Sequence, residues 1–193
     1  MSDLRGKGLR LRRATADDVD FLAGLATNDE ISPFLAVVAA RDADAFLEEV
    51  DRAEGSPREY GRFVIEVERD GSWWAAGSVA FEVANRRSRV AHLYGLMVRP
   101  DFRGRGVART ATELFTRHLI YDLGYHRVQL ECYGYNERAI RHFERAGYVK
   151  EGVRRKAYWR NDAWVDGILF GVVREDLEPG DVAPADREPR TRV

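Results

Sequence analysis

The chain has 193 residues, 45% hydrophobic and 33% charged, enough for one mixed α/β core and short for two substantial domains. Lysine plus arginine number 31 against 32 acids, and a net charge of −1 offers no bulk attraction to nucleic acid or to an anionic membrane, so any basic function must be local. The single cysteine, Cys132, excludes a disulfide framework and a four-thiolate zinc site. With no leader-like N-terminus and no apolar run of about 18 residues, the expected setting is a soluble protein of the reducing cytoplasm.

Leu9 to Arg13 (LRLRR) alternates as a short opening strand. Thr15 and Asp18 have the spacing of a helix cap, and Val19, Leu22, Leu25 and Ala26 follow at helical intervals. After Ser32-Pro33, Asp42 can cap a second helix whose expected buried stripe is Phe46, Leu47 and Val50. Arg62 to Arg69 alternates, Asp70-Gly71 is a hairpin turn signal, and Ser72 to Val83 resumes a strand pattern. Asn85 to Ser88 turns the chain into a third strand, Arg89 to Val98.

A long helix is expected from about Gly106 to Asp122, with Ala108, Ala111, Thr112, Phe115 and Leu119 on one face and Gly124 closing it. Arg127 to Cys132 is the next strand, entered from a helix and so expected to run parallel to its predecessor. A short helix, Asn136 to Ala146, ends at Gly147. Two last strands, Tyr148 to Arg154 and Trp164 to Arg174, are joined through a polar turn at Trp159 to Asp162. Trp73, Trp74, Trp159 and Trp164 are expected to pack on the sheet, a share of them serving a homodimer contact. Residues 1–177 form the expected domain. Residues 178–193, proline-containing and nearly devoid of large apolar side chains, read as a mobile tail.

The stretch VRPDFRGRGVA, Val98 to Ala108, joins a strand to a helix through glycines. Such a junction suits phosphate: glycine lets backbone approach closely, and the first helical turn offers unpaired N–H groups at the positive end of its dipole. The dinucleotide fingerprint fails, because Arg109 stands where its third glycine belongs, and no G-K-[ST] of a P-loop is present. Arg103, Gly106 and Ala108 do fit an R-x-x-G-x-A frame, preceded by Val98-x-Pro100 and the apolar strand LYGLM, Leu93 to Met97.

That frame resembles the acetyl-CoA loop of the GNAT superfamily of N-acetyltransferases. About 30 residues on, NERAIRHFERAGY (Asn136 to Tyr148) resembles the family's N-x-x-A-[IL]-x-x-[YF]-x-x-x-G-[FY] helix. The resemblance implies an α/β (α+β) fold, a single domain with a mixed, splayed sheet of about seven strands flanked by about four helices. It also implies acetyl-CoA as acetyl donor, with no metal. Leu96, Met97 and Val98 would pair with the pantetheine arm, while Arg103, Gly104, Arg105, Gly106, Val107 and Ala108 would hold the pyrophosphate. Asn136 and Phe143 would line the opposite wall, although helical spacing alone also predicts core packing for Ile140 and Phe143.

Acetyl transfer to an amine needs a proton acceptor, donors to an oxyanion and a route for the departing thiolate. By resemblance the Val98 N–H is the oxyanion donor. Many relatives carry a glutamate in A-E-L-x-x-L-x-V-x-P; here AHLYGLMVRP places His92 there, a side chain able to accept a proton near neutrality. A half-buried structural histidine is the plainer reading, and Glu82 and Glu131 are weaker candidates. Where many relatives place a tyrosine to protonate the sulfur, this chain has Phe143, leaving Tyr133 or Tyr135 as substitutes or no acid at all.

Glu151 to Gly171 resembles the ending of the Rim-type branch, ribosomal-protein N-terminal and spermidine acetyltransferases, which implies a primary amine on a small molecule, polyamine or protein N-terminus as acceptor. Selectivity would reside in the two early helices and in Thr27 to Phe34, where Asp29 and Glu30 are either a solvated turn or an attraction for a cationic amine. Arg138, Arg141 and Arg145, with Arg154, Arg155 and Lys156, read either as a nucleic-acid or ribosome-facing patch or as a solvated face with some contact to the 3′-phosphate of coenzyme A; with neutral net charge and no nucleic-acid fold signature, no direct nucleic-acid partner is expected. A competing class is a non-catalytic acyl-CoA-binding or sensor domain, favoured by Phe143 and the missing strand glutamate.

Overall fold

The computed structural model describes residues 3–35 and 42–177. The proline-containing tail from residue 178 lies outside the described residues. One sheet of eight strands runs β1-β2-β3-β4-β5-β6-β8-β7. Its strands are β1 (Leu4–Gly6), β2 (Leu9–Arg13), β3 (Tyr60–Arg69), β4 (Ser72–Asn85), β5 (Val90–Val98), β6 (Arg127–Tyr133), β7 (Val149–Arg160) and β8 (Ala163–Val173). The helices are α1 (Val19–Thr27), α2 (Ala43–Gly55), α3 (Val107–Arg117), α4 (Glu137–Arg145) and α5 (Arg174–Leu177). The expected mixed architecture holds, with one strand more: β1, too short to show a period, pairs with β2.

Local chemistry starts and stops these elements. Asp18 accepts from the Thr15 N–H at 2.8 Å and closes the 3-10 turn Ala16–Asp18 that leads into α1, and Asp42 caps α2 by accepting from the Ala45 N–H at 2.9 Å. Asp70 and Gly71 take φ of 51° and 74°, the paired positive values of a two-residue hairpin turn, and Asn161 and Asp162 repeat the device between β7 and β8 with 51° and 56°.

Two layers cover the sheet. The main core joins strand residues such as Leu11, Ile65, Phe81, Leu93 and Phe170 to Ala111, Phe115 and Leu119. A smaller core on α1 and α2 gathers Leu22, Leu25, Phe46 and Met97. Because both layers press on β3, Phe63, Val64 and Ile65 are all buried, where alternation had predicted one solvated face.

Three readings need correction. Leu47 is 38% exposed, because the face of α2 turned into the core carries Phe46, Val50 and Ala53. The long helix is α only to Arg117 and continues as a wider π turn, His118–Asp122. Trp74, Trp159 and Trp164 do not pack into the sheet and are more than half exposed. The last two meet edge-on at 5.3 Å next to the hairpin tip, on an edge strand with one neighbour and that neighbour.

Candidate active site

β5 carries the site. Opposite β4, Ser78 faces Met97 and Ala80 faces Tyr94, so Val79 alone opposes both Gly95 and Leu96. This is a β-bulge, which bends its strand, and Gly95 supplies the φ of 59° that it requires. On the other edge β5 runs parallel to β6 only through Val90, Ala91 and His92. Beyond His92 the two strands part into a wedge. The Arg99 N–H is spent on Ala76 O at 2.8 Å. Successive N–H groups of an extended strand point to opposite edges, so the Val98 N–H is turned toward the wedge.

After Pro100–Phe102 the chain reaches Gly104 (φ 75°) and Gly106 (φ 78°), the latter capping α3. A Cβ added at either would meet nothing within 4 Å. Glycine is needed there for its backbone conformation, and the space before it is open. The Arg103 side chain has partners within the protein: its Nε donates to Val98 O at 3.2 Å and its Nη1 pairs with Glu30 at 2.7 Å. Glu30 therefore engages the glycine loop, although so exposed a pair contributes little to stability.

A cavity of about 520 Å³ lies between this loop and α4, walled by Leu96, Met97, Val98, Arg103, Gly104, Gly106, Val107 and Ala108, with Asn136 and Phe143 across from them. Arg105 is outside that wall. Arg138, Arg141 and Arg145 are part of it, and burial and the neighbouring Arg103 push the Arg138 guanidinium below its usual range. Converging cations in a half-closed cavity favour an anionic ligand. Asn136 also caps α4, accepting from the Ala139 N–H at 3.1 Å.

A second cavity of about 270 Å³ is lined by His92, Tyr94, Glu131, Cys132, Tyr133 and Tyr158 among others. The two cavities share Phe34, Leu35, Leu96, Asn136, Ala139 and Phe143 and so meet at the wedge. Burial lowers the His92 pKa below its ordinary value; Glu82, its cross-strand neighbour, and Glu131 oppose that, and Arg154 adds to it. Burial therefore favours the neutral imidazole at His92. One oxygen of Glu131 is buried without a hydrogen-bond partner, and the other lies 3.4 Å from Arg154. Cys132, raised to about 11 chiefly by burial, remains a thiol, which disfavours a covalent route through it.

The two tyrosines stack at 5.3 Å but differ in duty. Tyr135 donates its hydroxyl to Pro33 O at 2.5 Å and lines neither cavity. The Tyr133 hydroxyl oxygen accepts from Arg160 Nε at 2.9 Å, so its own proton is directed away from the arginine. Leu35 and His142 are among the wall residues that sequence reasoning did not single out. Leu35 arrives just past the Thr27 to Phe34 loop, where no local signal exists. His142, 2.9 Å from Thr112, was readable from its spacing with Arg138 and Arg145 on one helical face.

The description "Acetyltransferase (GNAT) domain" fits residues 8–149 of this chain. The chain belongs to the GNAT acetyltransferases. Among similar proteins, the SPbeta prophage-derived uncharacterized N-acetyltransferase YokL of Bacillus subtilis is 36% identical over 85 residues, 44% of this chain and 48% of that protein. The probable N-acetyltransferase YjcK of the same species is 29% identical over 39% of this chain and 41% of its own length. The matches thus span about half the length of these curated relatives or less. In fold, the chain is similar to spermidine N-acetyltransferase from Vibrio cholerae in complex with CoA and spermine, with TM-score 0.77 and 21% identity over 89% of this chain and 99% of that one. It is also similar to ribosomal-protein-S5-alanine acetyltransferase from Vibrio fischeri, with TM-score 0.76 and 17% identity over 93% and 100% of the two chains. No helix among the described residues is long and apolar enough to cross a membrane.

Proposed function

We propose that the protein transfers the acetyl group of acetyl-CoA to a primary amine by direct attack in a ternary complex. The observation that carries this reading is the meeting of the two cavities: one is walled by a glycine loop, a helix N-terminus and arginines, the other by a histidine and tyrosines, and six residues are common to both. The first fits a phosphorylated donor, since the N–H groups at the start of α3 and the guanidinia of Arg138, Arg141 and Arg145 suit a pyrophosphate and a 3′-phosphate. When bound, the donor supplies a thioester carbonyl activated for attack.

The residues then divide the work. His92 accepts the proton that the amine gives up, directly or through water. The Val98 N–H, aimed into the wedge, donates to the oxygen on which negative charge develops. Tyr133, oriented by Arg160, gives its proton to the departing sulfur, which the apolar Phe143 cannot do. Because a thiol with a pKa near ~8.5 leaves tolerably unaided, Tyr133→Phe is expected to lower kcat by only about tenfold. Tyr135→Phe should leave kcat unchanged, and equal losses in the two variants would remove the acid from Tyr133.

The fold neighbours are named for spermidine and for the alanine of a ribosomal protein; what we carry over is the feature common to both, an amine acceptor. Release of free thiol from acetyl-CoA, followed over polyamines, amino acids, aminoglycosides and N-terminal peptides, tests the proposal. Turnover with any amine supports it. A protein stabilised by acetyl-CoA that turns over none would be the acyl-CoA-binding domain that Phe143, in the place of a tyrosine, favours. Absence of stabilisation at excess acetyl-CoA would sink both.

A further inference from the structure

Arg62 lies in mid-sheet on β3 and is 3% exposed. Its Nε and Nη2 donate to one oxygen of Glu49, on α2, at 2.9 and 2.6 Å. Its Nη1 reaches Ser78 Oγ at 3.1 Å and Gly95 O at 3.4 Å. The other Glu49 oxygen accepts from the Tyr94 hydroxyl at 3.4 Å, and the rings of Phe46 and Tyr94 lie 5.1 and 5.2 Å from the guanidinium.

Burying an ion pair is a poor way to gain stability, because well-packed apolar side chains of similar volume usually do as well or better. The pair's position is more informative. It grips both strands at the bulge: Ser78 on β4 and Gly95 on β5. A Cβ at residue 95 would stand 2.5 Å from Arg62 Nη1, so the arginine occupies the space the glycine leaves. A bulge adds one residue to one strand, and its loss by a one-residue slip would turn Leu96, Met97 and Val98 to opposite faces and edges.

We propose that Glu49 and Arg62 are positioning residues that lock the β5 bulge, and with it the direction of the Val98 N–H, to helix α2 on the acceptor side of the sheet. The kinetic part rests on the transferase reading above; the structural part does not. Hydrogen exchange at residues 94–98 and the acetyl-CoA dissociation constant are therefore measured beside kcat. In Glu49→Gln and Arg62→Lys, exchange at residues 94–98 is expected to speed up at least about fivefold. Values of kcat should fall about tenfold or more, and acetyl-CoA affinity should fall by a smaller factor, because Leu96, Met97 and Val98 line the donor cavity while the loop holding the phosphates is untouched.

Since either single variant can lose its fold by stranding a buried charge, the double variant Glu49→Leu with Arg62→Met is the deciding one. It should recover the parent's melting temperature yet keep the fast exchange and the low kcat. A double variant with parental exchange at residues 94–98 overturns the proposal whether or not any amine is acetylated. Parental kcat in that variant, once the parent is seen to turn over, overturns its kinetic part. Failure of the parent to acetylate any amine, with exchange accelerated as expected, would count against the transferase reading and support the lock.

Discussion

Gly106→Val is expected to weaken acetyl-CoA binding by about a hundredfold, or ~2.7 kcal/mol. Gly106 has a φ of 78° and caps α3. A β-branched residue held in that region is strained by about 1–3 kcal/mol, and the loop relieves the strain by rotating peptides whose N–H groups would otherwise face the pyrophosphate. The valine methyls would in addition fill space that is open in this structure, since a Cβ there meets nothing within 4 Å. That same openness means the unliganded protein should remain folded, with a melting temperature lowered by only a few degrees. Gly106→Ala should fall between parent and valine. Arg105→Ala, whose side chain lies outside the cavity wall, should bind nearly as the parent does. Calorimetric titration with acetyl-CoA measures all three, and unchanged affinity in the valine variant would return the loop to a plain surface turn.

His92→Gln is expected to reduce kcat by about 10²–10³-fold at pH 7.5 while leaving acetyl-CoA affinity intact. The pH dependence carries a sign that can be checked. Burial lowers the His92 pKa from its ordinary 6.5, and the accepting form is the neutral one. The acidic limb of kcat should therefore have its midpoint below pH 6.5, with a plateau through neutrality. Bound donor and acceptor exclude further water and shift the midpoint the same way. In the glutamine variant this limb should vanish with the activity. Glu131→Gln is the matched control, because Glu131 lines the same cavity and has a buried, unpartnered oxygen. Parental turnover in His92→Gln with loss in Glu131→Gln would move the base to Glu131.

Much of the fold was legible because its signals are local. The hairpin turn at Asp70-Gly71, the caps at Thr15 to Asp18 and at Asp42, and the glycine loop each depend on residues within a few positions of one another. The Glu30–Arg103 pair and the exposed tryptophans were not legible, for the opposite reason. The Arg103 charge is taken by Glu30, from a loop 73 residues earlier in the chain. Trp159 and Trp164 are exposed because β7 and β8 order themselves with β7 at the sheet's edge, an outcome no window of sequence encodes.

By itself the sequence determined the family, the glycine loop between β5 and α3, the two helices that follow it and the absence of a tyrosine at Phe143. Spacing and backbone preference act over short range, and a phosphate-binding turn consists of little else. Only the tertiary structure decided that β5 leaves β6 after His92 and that two cavities meet at Phe143. It also decided that Tyr133, and not Tyr135, lines the second cavity, and that Glu49 on α2 meets the buried Arg62 of β3 beside the bulge. Those relations depend on which strands become neighbours and on what water is then excluded from the space between them.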